Sequence, residues 1–200
     1  MALEGTASPV EAVLRFWFGD PATEATDYAA RRQLWFGKKS QFDQEIADRF
    51  QSLYQQAAHG ELDHWQEAPD SCLALLIVLD QFPRNLFRQH PQAFATDAKA
   101  LAIAKSAIAQ GFDQSLEPVQ RIFMYLPLEH SEDRSDQLQS VECFRNLAAI
   151  DPALNDVFDY ALRHYEVINR FGRFPHRNSI LARPSTPEEI EFLKQPGSSF

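Results

Sequence analysis

Two hundred residues, 44% hydrophobic and 24% charged, make a chain of one domain's size with enough apolar side chain for a core, which excludes a disordered or disulfide-stapled class. A formal net charge of −9 excludes general attraction to nucleic acid or anionic lipid, so any anion-binding role has to be local. Glu4 stands where a leader would carry basic residues, and the longest uninterrupted apolar run, Cys72 to Leu79, falls short of the roughly 20 residues that span a bilayer; a cytoplasmic protein with no membrane partner is expected.

Helix signals recur from end to end. Ser8-Pro9-Val10-Glu11 offers an N-cap serine, a proline at the first helical position and a glutamate three residues after the cap, ahead of Val13, Leu14 and Trp17. After a turn-like stretch from Gly19 to Thr26, a short helix carries Leu34, Trp35 and Phe36. Phe42, Ile46, Phe50, Leu53 and Ala57 then form one amphipathic stripe that Gly60 closes. Cys72 to Phe82 is apolar on every side. It is read as a buried helix because no convincing strand exists to pair with it.

Thr96 and Asp97 are expected to cap a helix running to Gln110, and Pro118 to start another that ends near Pro127. A longer helix is expected from about Asp136 to Ala149. Asp151-Pro152 caps the next, through Phe171 to Gly172, and Thr186-Pro187-Glu188-Glu189 opens a final short one before a short mobile tail near residues 195–200. Together these predict a single all-α domain over residues 1–200, a bundle or helical-hairpin array. Cys72 and Cys143, each inside an apolar helical pattern with no CxxC partner, are expected as buried free thiols.

Three segments stand out chemically. Asn169 to Asn178 holds three arginines, a histidine and no carboxylate, with Gly172 and Pro175 fixing a turn around Arg173 and Arg177. Arginine's rigid fork suits carboxylate or phosphate; the competing reading is that these arginines neutralise the chain's own acids. Asp80, Gln81, Arg84 and Asn85 follow abruptly on the most hydrophobic helix, and Phe82-Pro83-Arg84-Asn85 is echoed by Phe174-Pro175-His176-Arg177-Asn178. In Leu126 to Asp133, His130 beside Glu129 has the makings of a general base, or of an acidic loop paired with the arginine segment.

Asp80, Gln81, Arg84, Asn85, Arg173, Arg177 and Asn178 are thus the candidate ligand-binding residues, and His130, His176 and Glu129 the candidates for proton transfer. No HExxH, P-loop, nucleophile elbow or dinucleotide fingerprint occurs, so neither a metal nor a cofactor is expected. His59, His64 and His90 read as surface residues, and Glu166 with Arg170 as an ordinary i,i+4 pair. One polar cluster of Arg84, Glu129, His130, Arg173, His176, Arg177 and Asn178, binding a small anionic metabolite, is the favoured expectation; a module for an acidic peptide or partner is the alternative.

These same segments resemble the signature stretches of a bacterial family catalogued as domain of unknown function nine hundred twenty-four. So do Val13-Leu14-Arg15-Phe16-Trp17-Phe18-Gly19 and Pro196-Gly197-Ser198-Ser199-Phe200, and the resemblance covers almost the whole chain. It implies a compact, tetratricopeptide-like all-α fold and no particular activity. One departure is Ala182 in Ile180-Leu181-Ala182-Arg183, where the family pattern leads one to expect glycine.

Overall fold

The computed structural model describes residues 8–20, 28–37 and 39–199, so most of the Gly19 to Thr26 turn and Phe200 lie outside it. Ser8 closes a capping box with Glu11 at the start of α1 (Pro9–Phe18), and Gly19 ends it. α2 (Tyr28–Trp35) stops one residue before Phe36, and α3 (Ser40–Ala58) buries the predicted stripe at Phe42, Ile46, Phe50 and Ala57.

The centre of the molecule is the run from Cys72 to Phe82, in which no side chain is more than 6% exposed. It begins as α4 (Pro69–Leu76), widens to a π-helical turn over Ile77–Gln81, and continues as α5 (Phe82–Leu86). Pro83 accounts for the widening. Its ring would collide with the carbonyl four residues back, Leu79, and it has no N–H to donate there. The freed Leu79 carbonyl instead accepts the Thr96 hydroxyl at 2.5 Å. Thr96 precedes α6 (Asp97–Ala109) as expected, but its hydroxyl makes no cap bond because the Leu79 carbonyl has taken it.

α7 (Pro118–Glu129) runs through Pro127 rather than ending there. In a buried helix the tertiary packing of Ile122, Phe123, Met124 and Leu128 outweighs the single hydrogen bond a proline forgoes. α8 (Arg134–Ile150), α9 (Asn155–Phe171) and α10 (Pro187–Phe192) complete the chain, with α8 packed on both α7 and α9. Among the described residues there is no strand, and none of the helices is long and apolar enough to cross a membrane.

An aromatic knot ties α1 to this centre: the Trp17 ring packs against Phe42, Phe82 and Phe123, and Trp35 donates its indole N–H to the Trp17 carbonyl at 3.0 Å. α2 is latched to α9 through Asp156, which accepts from Tyr28 and Arg32. Both cysteines are free; Cys72 is buried as expected, whereas Cys143 is only half-buried, and burial pushes each thiol up to about 11, so neither is a ready nucleophile at neutral pH. Toward the C-terminus, Ser198 is buried and its hydroxyl donates to the Leu193 carbonyl at 3.1 Å.

Ala182 has φ +54°, the left-handed conformation that glycine adopts without strain, so the departure from the family pattern falls where backbone geometry asks for glycine. Ala182→Gly is expected to raise stability by about 0.5 to 1 kcal/mol, the relieved strain less the added freedom of the unfolded chain, as read from urea denaturation.

Candidate functional site

Four chain segments bring polar groups to one buried region. The π turn supplies Asp80 and α5 supplies Arg84; α6 opens on Asp97, and α7 ends on Glu129 with His130 as its cap. The fourth segment follows α9. Gly172, at φ +68°, turns the chain out of that helix into a 3-10 turn, Pro175–Arg177, which carries Arg177 inward.

The echo between Phe82-Pro83-Arg84-Asn85 and Phe174-Pro175-His176-Arg177-Asn178 is also structural. Both phenylalanines are fully buried, and both prolines occupy the first turn of a short helix. Arg84 and Arg177 reach the same two partners. Arg84 donates twice to Asp97, at 3.0 and 3.1 Å, and Arg177 stands 3.5 Å from the same carboxylate. The guanidinium carbons lie 5.9 and 4.8 Å from the Phe94 ring. Each asparagine serves a different carboxylate: Asn85 donates to Asp43 at 2.8 Å, and Asn178 to Glu189 at 3.2 Å.

Asp80 is 1% exposed, yet ionised. Burial alone would raise its pKa, but the Arg84 guanidinium and His130 hold it at about 2. Its Oδ2 accepts from Gln81, and its Oδ1 lies 2.8 Å from His130 Nδ1. Burial and the Arg84 charge move the His130 pKa down despite Asp80, so the imidazole is neutral: Nδ1–H donates to Asp80, and Nε2 is left as a base.

Glu129 has the opposite fate. It is 4% exposed and meets no cation, and burial together with the Asp80 charge pushes its carboxyl up to about 8. His164 Nδ1 stands 3.2 Å from Glu129 Oε1, but this is a contact between neutral groups. Burial keeps the imidazole well below its ordinary pKa, and its Nδ1–H donates to the Tyr160 carbonyl at 2.9 Å. Glu129 Oε2 is buried with no hydrogen-bond partner.

Arg177 is the other anomaly. It is 7% exposed, sandwiched between the Phe94 and Phe174 rings, and burial plus the Arg84 charge lowers its pKa to about 10. Its Nε has no partner. His176, half-buried next to it, is held down at about 4 by burial and the Arg177 charge.

The expected single cluster is therefore divided. Arg84 and Arg177 meet at Asp97, Asp80 with Gln81 and His130 joins them through Arg84, and Glu129 and His176 flank that group, whereas Arg173 and Asn178 belong to a neighbouring clasp. There Arg173 donates to Glu189 at 2.6 and 2.8 Å, and Arg183 bridges Glu132 and Asn178. Glu132 also accepts the Phe174 backbone N–H at 2.8 Å, so the acidic loop after α7 does pair with the arginine segment. Asn85 is spent on Asp43 beside Arg88. Arg170 bonds Glu188 at 2.8 and 2.9 Å and is not an i,i+4 partner of Glu166, because α10 brings an acid closer.

Asp97, His164, Phe94 and Glu189 had no place in the sequence reading of the site. A signal for His164 existed, since Val157, Ala161, His164 and Ile168 share one helical stripe, all buried. Two surface clefts, of about 220 Å³ beside Asp113, Tyr125 and Cys143 and about 410 Å³ beside Phe16, Arg31 and Lys39, both lie away from this cluster. Among the described residues no group of three or more His, Cys, Asp or Glu side chains is arranged to hold a metal.

The chain is similar to the solved structure of a protein of unknown function, ATU0120, from Agrobacterium tumefaciens: 38% identity, a TM-score of 0.81, and coverage of 92% of this chain and 96% of that one. No curated protein matches. The family model described as bacterial protein of unknown function (DUF924) matches residues 13–197, and it is to this family that the chain belongs.

Proposed function

We propose that the cluster around Asp97 is a receptor for a small oxyanion, the phosphate or carboxylate of a metabolite, and that Arg177 with Arg84 holds it. The observation that carries the reading is Arg177: a buried guanidinium with an unused Nε–H and one 3.5 Å ion-pair contact. Burying a cation is costly unless it is fully answered, so an arginine left half-answered points to a partner that arrives later. Beside it, the Asp80-oriented His130 and the neutral Glu129 supply a base and an acid whose pKa values are pushed apart, as a proton-transfer site requires. The α6 to α9 succession fits a tetratricopeptide-like hairpin array, but an acidic peptide needs cations on an open face, and Arg177 is enclosed.

The test is a melting-temperature panel of inorganic phosphate, sulfate and small carboxylates. Saturation at about 100 times the dissociation constant is worth roughly 2.7 kcal/mol, or about 5 to 10 °C for a chain of this size. Arg177→Met keeps the apolar stem between the two rings; it is expected to abolish the shift while leaving the unliganded protein as stable as before or more so. Arg173→Ala is expected to do the reverse, lowering unliganded stability and keeping the shift, because its partner is Glu189 in the clasp. Lack of stabilisation by any anion, with Arg177→Met strongly destabilised, would leave only a structural network.

A further inference from the structure

The smaller of the two surface clefts is lined from α7, from α8 and from the 3-10 turn Phe112–Ser115 that precedes α7. Helical spacing decides what faces it. Arg121 and Tyr125 stand one turn apart on α7, and Cys143, Leu147 and Ile150 follow at spacings of four and three on α8. Asp113, on the 3-10 turn, is 5% exposed, and only one of its oxygens is spent: Oδ2 accepts the Tyr125 hydroxyl at 2.7 Å and the Gln114 amide at 2.6 Å. Oδ1 takes no hydrogen bond among the described residues and is open to solvent, on the cleft that Asp113 lines.

Arg121 is its counterpart. Nε and Nη2 donate to the backbone carbonyls of Leu116 and Gln114, at 2.9 and 3.4 Å, which fixes the guanidinium without neutralising it. Nη1 has no acceptor, and among the described residues neither Arg121 nor Asp113 has an ion-pair partner. Two opposite charges therefore line one small cleft without meeting. A lone anion drawn to Arg121 would stand against the Asp113 carboxylate, and a lone cation drawn to Asp113 would stand against the guanidinium. An occupant that carries both charges on a short spacer answers both.

We propose that this cleft binds a free α-amino acid with a short apolar side chain, its ammonium on Asp113 Oδ1 and its carboxylate on Arg121 Nη1. The side chain lies against Leu147 and Ile150; Ile150 is 59% exposed, apolar surface that such a ligand covers. Volume sets the size. At roughly 30 Å³ a water, the cleft's 220 Å³ is the room of about seven waters, which suits an amino acid between alanine and leucine. This site lies away from the Asp97 cluster, and either can be empty without the other.

L-Valine is the probe, together with two compounds that each keep half of its polar groups: isovalerate, which lacks the ammonium, and isobutylamine, which lacks the carboxylate. Isothermal titration of the wild type is expected to show L-valine binding at least about tenfold tighter than either, because each half-ligand gives up one charge-assisted contact. Asp113→Asn and Arg121→Met, with folding checked by circular dichroism, are each expected to weaken L-valine by about tenfold or more. Alkylation reads the location: Cys143 lines the cleft and Cys72 does not, so saturating L-valine is expected to slow the reaction of Cys143 with iodoacetamide. Isovalerate binding as tightly as L-valine would leave an anion site on Arg121, isobutylamine doing so would leave a cation site on Asp113, and either result overturns the inference. Unchanged alkylation of Cys143, or no binding of L-alanine, L-valine or L-leucine, overturns the site itself.

Discussion

Glu129→Gln is expected to stabilise the folded protein by about 3 kcal/mol at pH 8 while changing it little at pH 4.5. The carboxyl is pushed from an ordinary 4.5 up to about 8 on folding. A folded-state pKa above the unfolded one means that the unfolded chain sheds this proton first, so the contribution of Glu129 to stability is greatest below pH 4.5 and declines as pH rises to about 8. The full shift corresponds to about 4 kcal/mol at pH 8, from which roughly 1 kcal/mol is subtracted for the amide's own unmet hydrogen bonds. Urea denaturation of both proteins between pH 4.5 and 9 reads this directly: the wild type loses stability across the window relative to the variant. Parallel pH profiles for the two proteins would mean that Glu129 is ionised in the folded state.

The second large effect runs the other way. Asp97→Asn is expected to cost about 3 kcal/mol at pH 7, because it removes the carboxylate that two arginines share. Arg84 keeps Asp80 at 3.4 Å, but Arg177 is left with no direct counter-charge. Breaking a buried pair by deleting one partner costs roughly 3 to 5 kcal/mol, and the lower end applies here because the Arg84 and Asp97 side chains are each a fifth exposed. Adding Arg177→Met to Asp97→Asn is expected to recover most of the loss, a coupling that a double-mutant cycle measures. A single-variant loss below 0.5 kcal/mol, or no coupling, would mean that Asp97 is not the counter-ion of Arg177.

The helices were legible because each carries its own local instructions. Ser8 with Glu11 and Thr186 with Glu189 close capping boxes on sequence alone, and the α3 stripe announces its buried face. What was not legible is competition between distant groups. Thr96 has the chemistry of a cap, but the carbonyl that claims its hydroxyl is at Leu79. An aspartate in a helix's first turn is expected for electrostatic reasons alone, which hid the second task of Asp97. Likewise nothing local separates Arg173 from Arg177, four residues apart. One faces Glu189 and the other Asp97, and that choice is made by α10 and α6.

The π turn between Ile77 and Gln81 has a consequence for descent. A turn closed from Phe82 N–H to the Ile77 carbonyl is an α-helix with one residue more than it needs, and each residue of an α-helix turns the side chains beyond it by about 100°. Removing one residue here would turn the side chains beyond the deletion by about 100° relative to those before it, leaving Cys72 to Leu76 in the core but swinging Asp80 or Arg84 out of reach of His130 and Asp97. The scaffold and the cluster are therefore separable by a single codon. A homologue lacking that residue is expected to keep this architecture without this arrangement of Asp80, Arg84, His130 and Asp97, so the length of the segment, more than overall similarity, marks which relatives share the polar cluster.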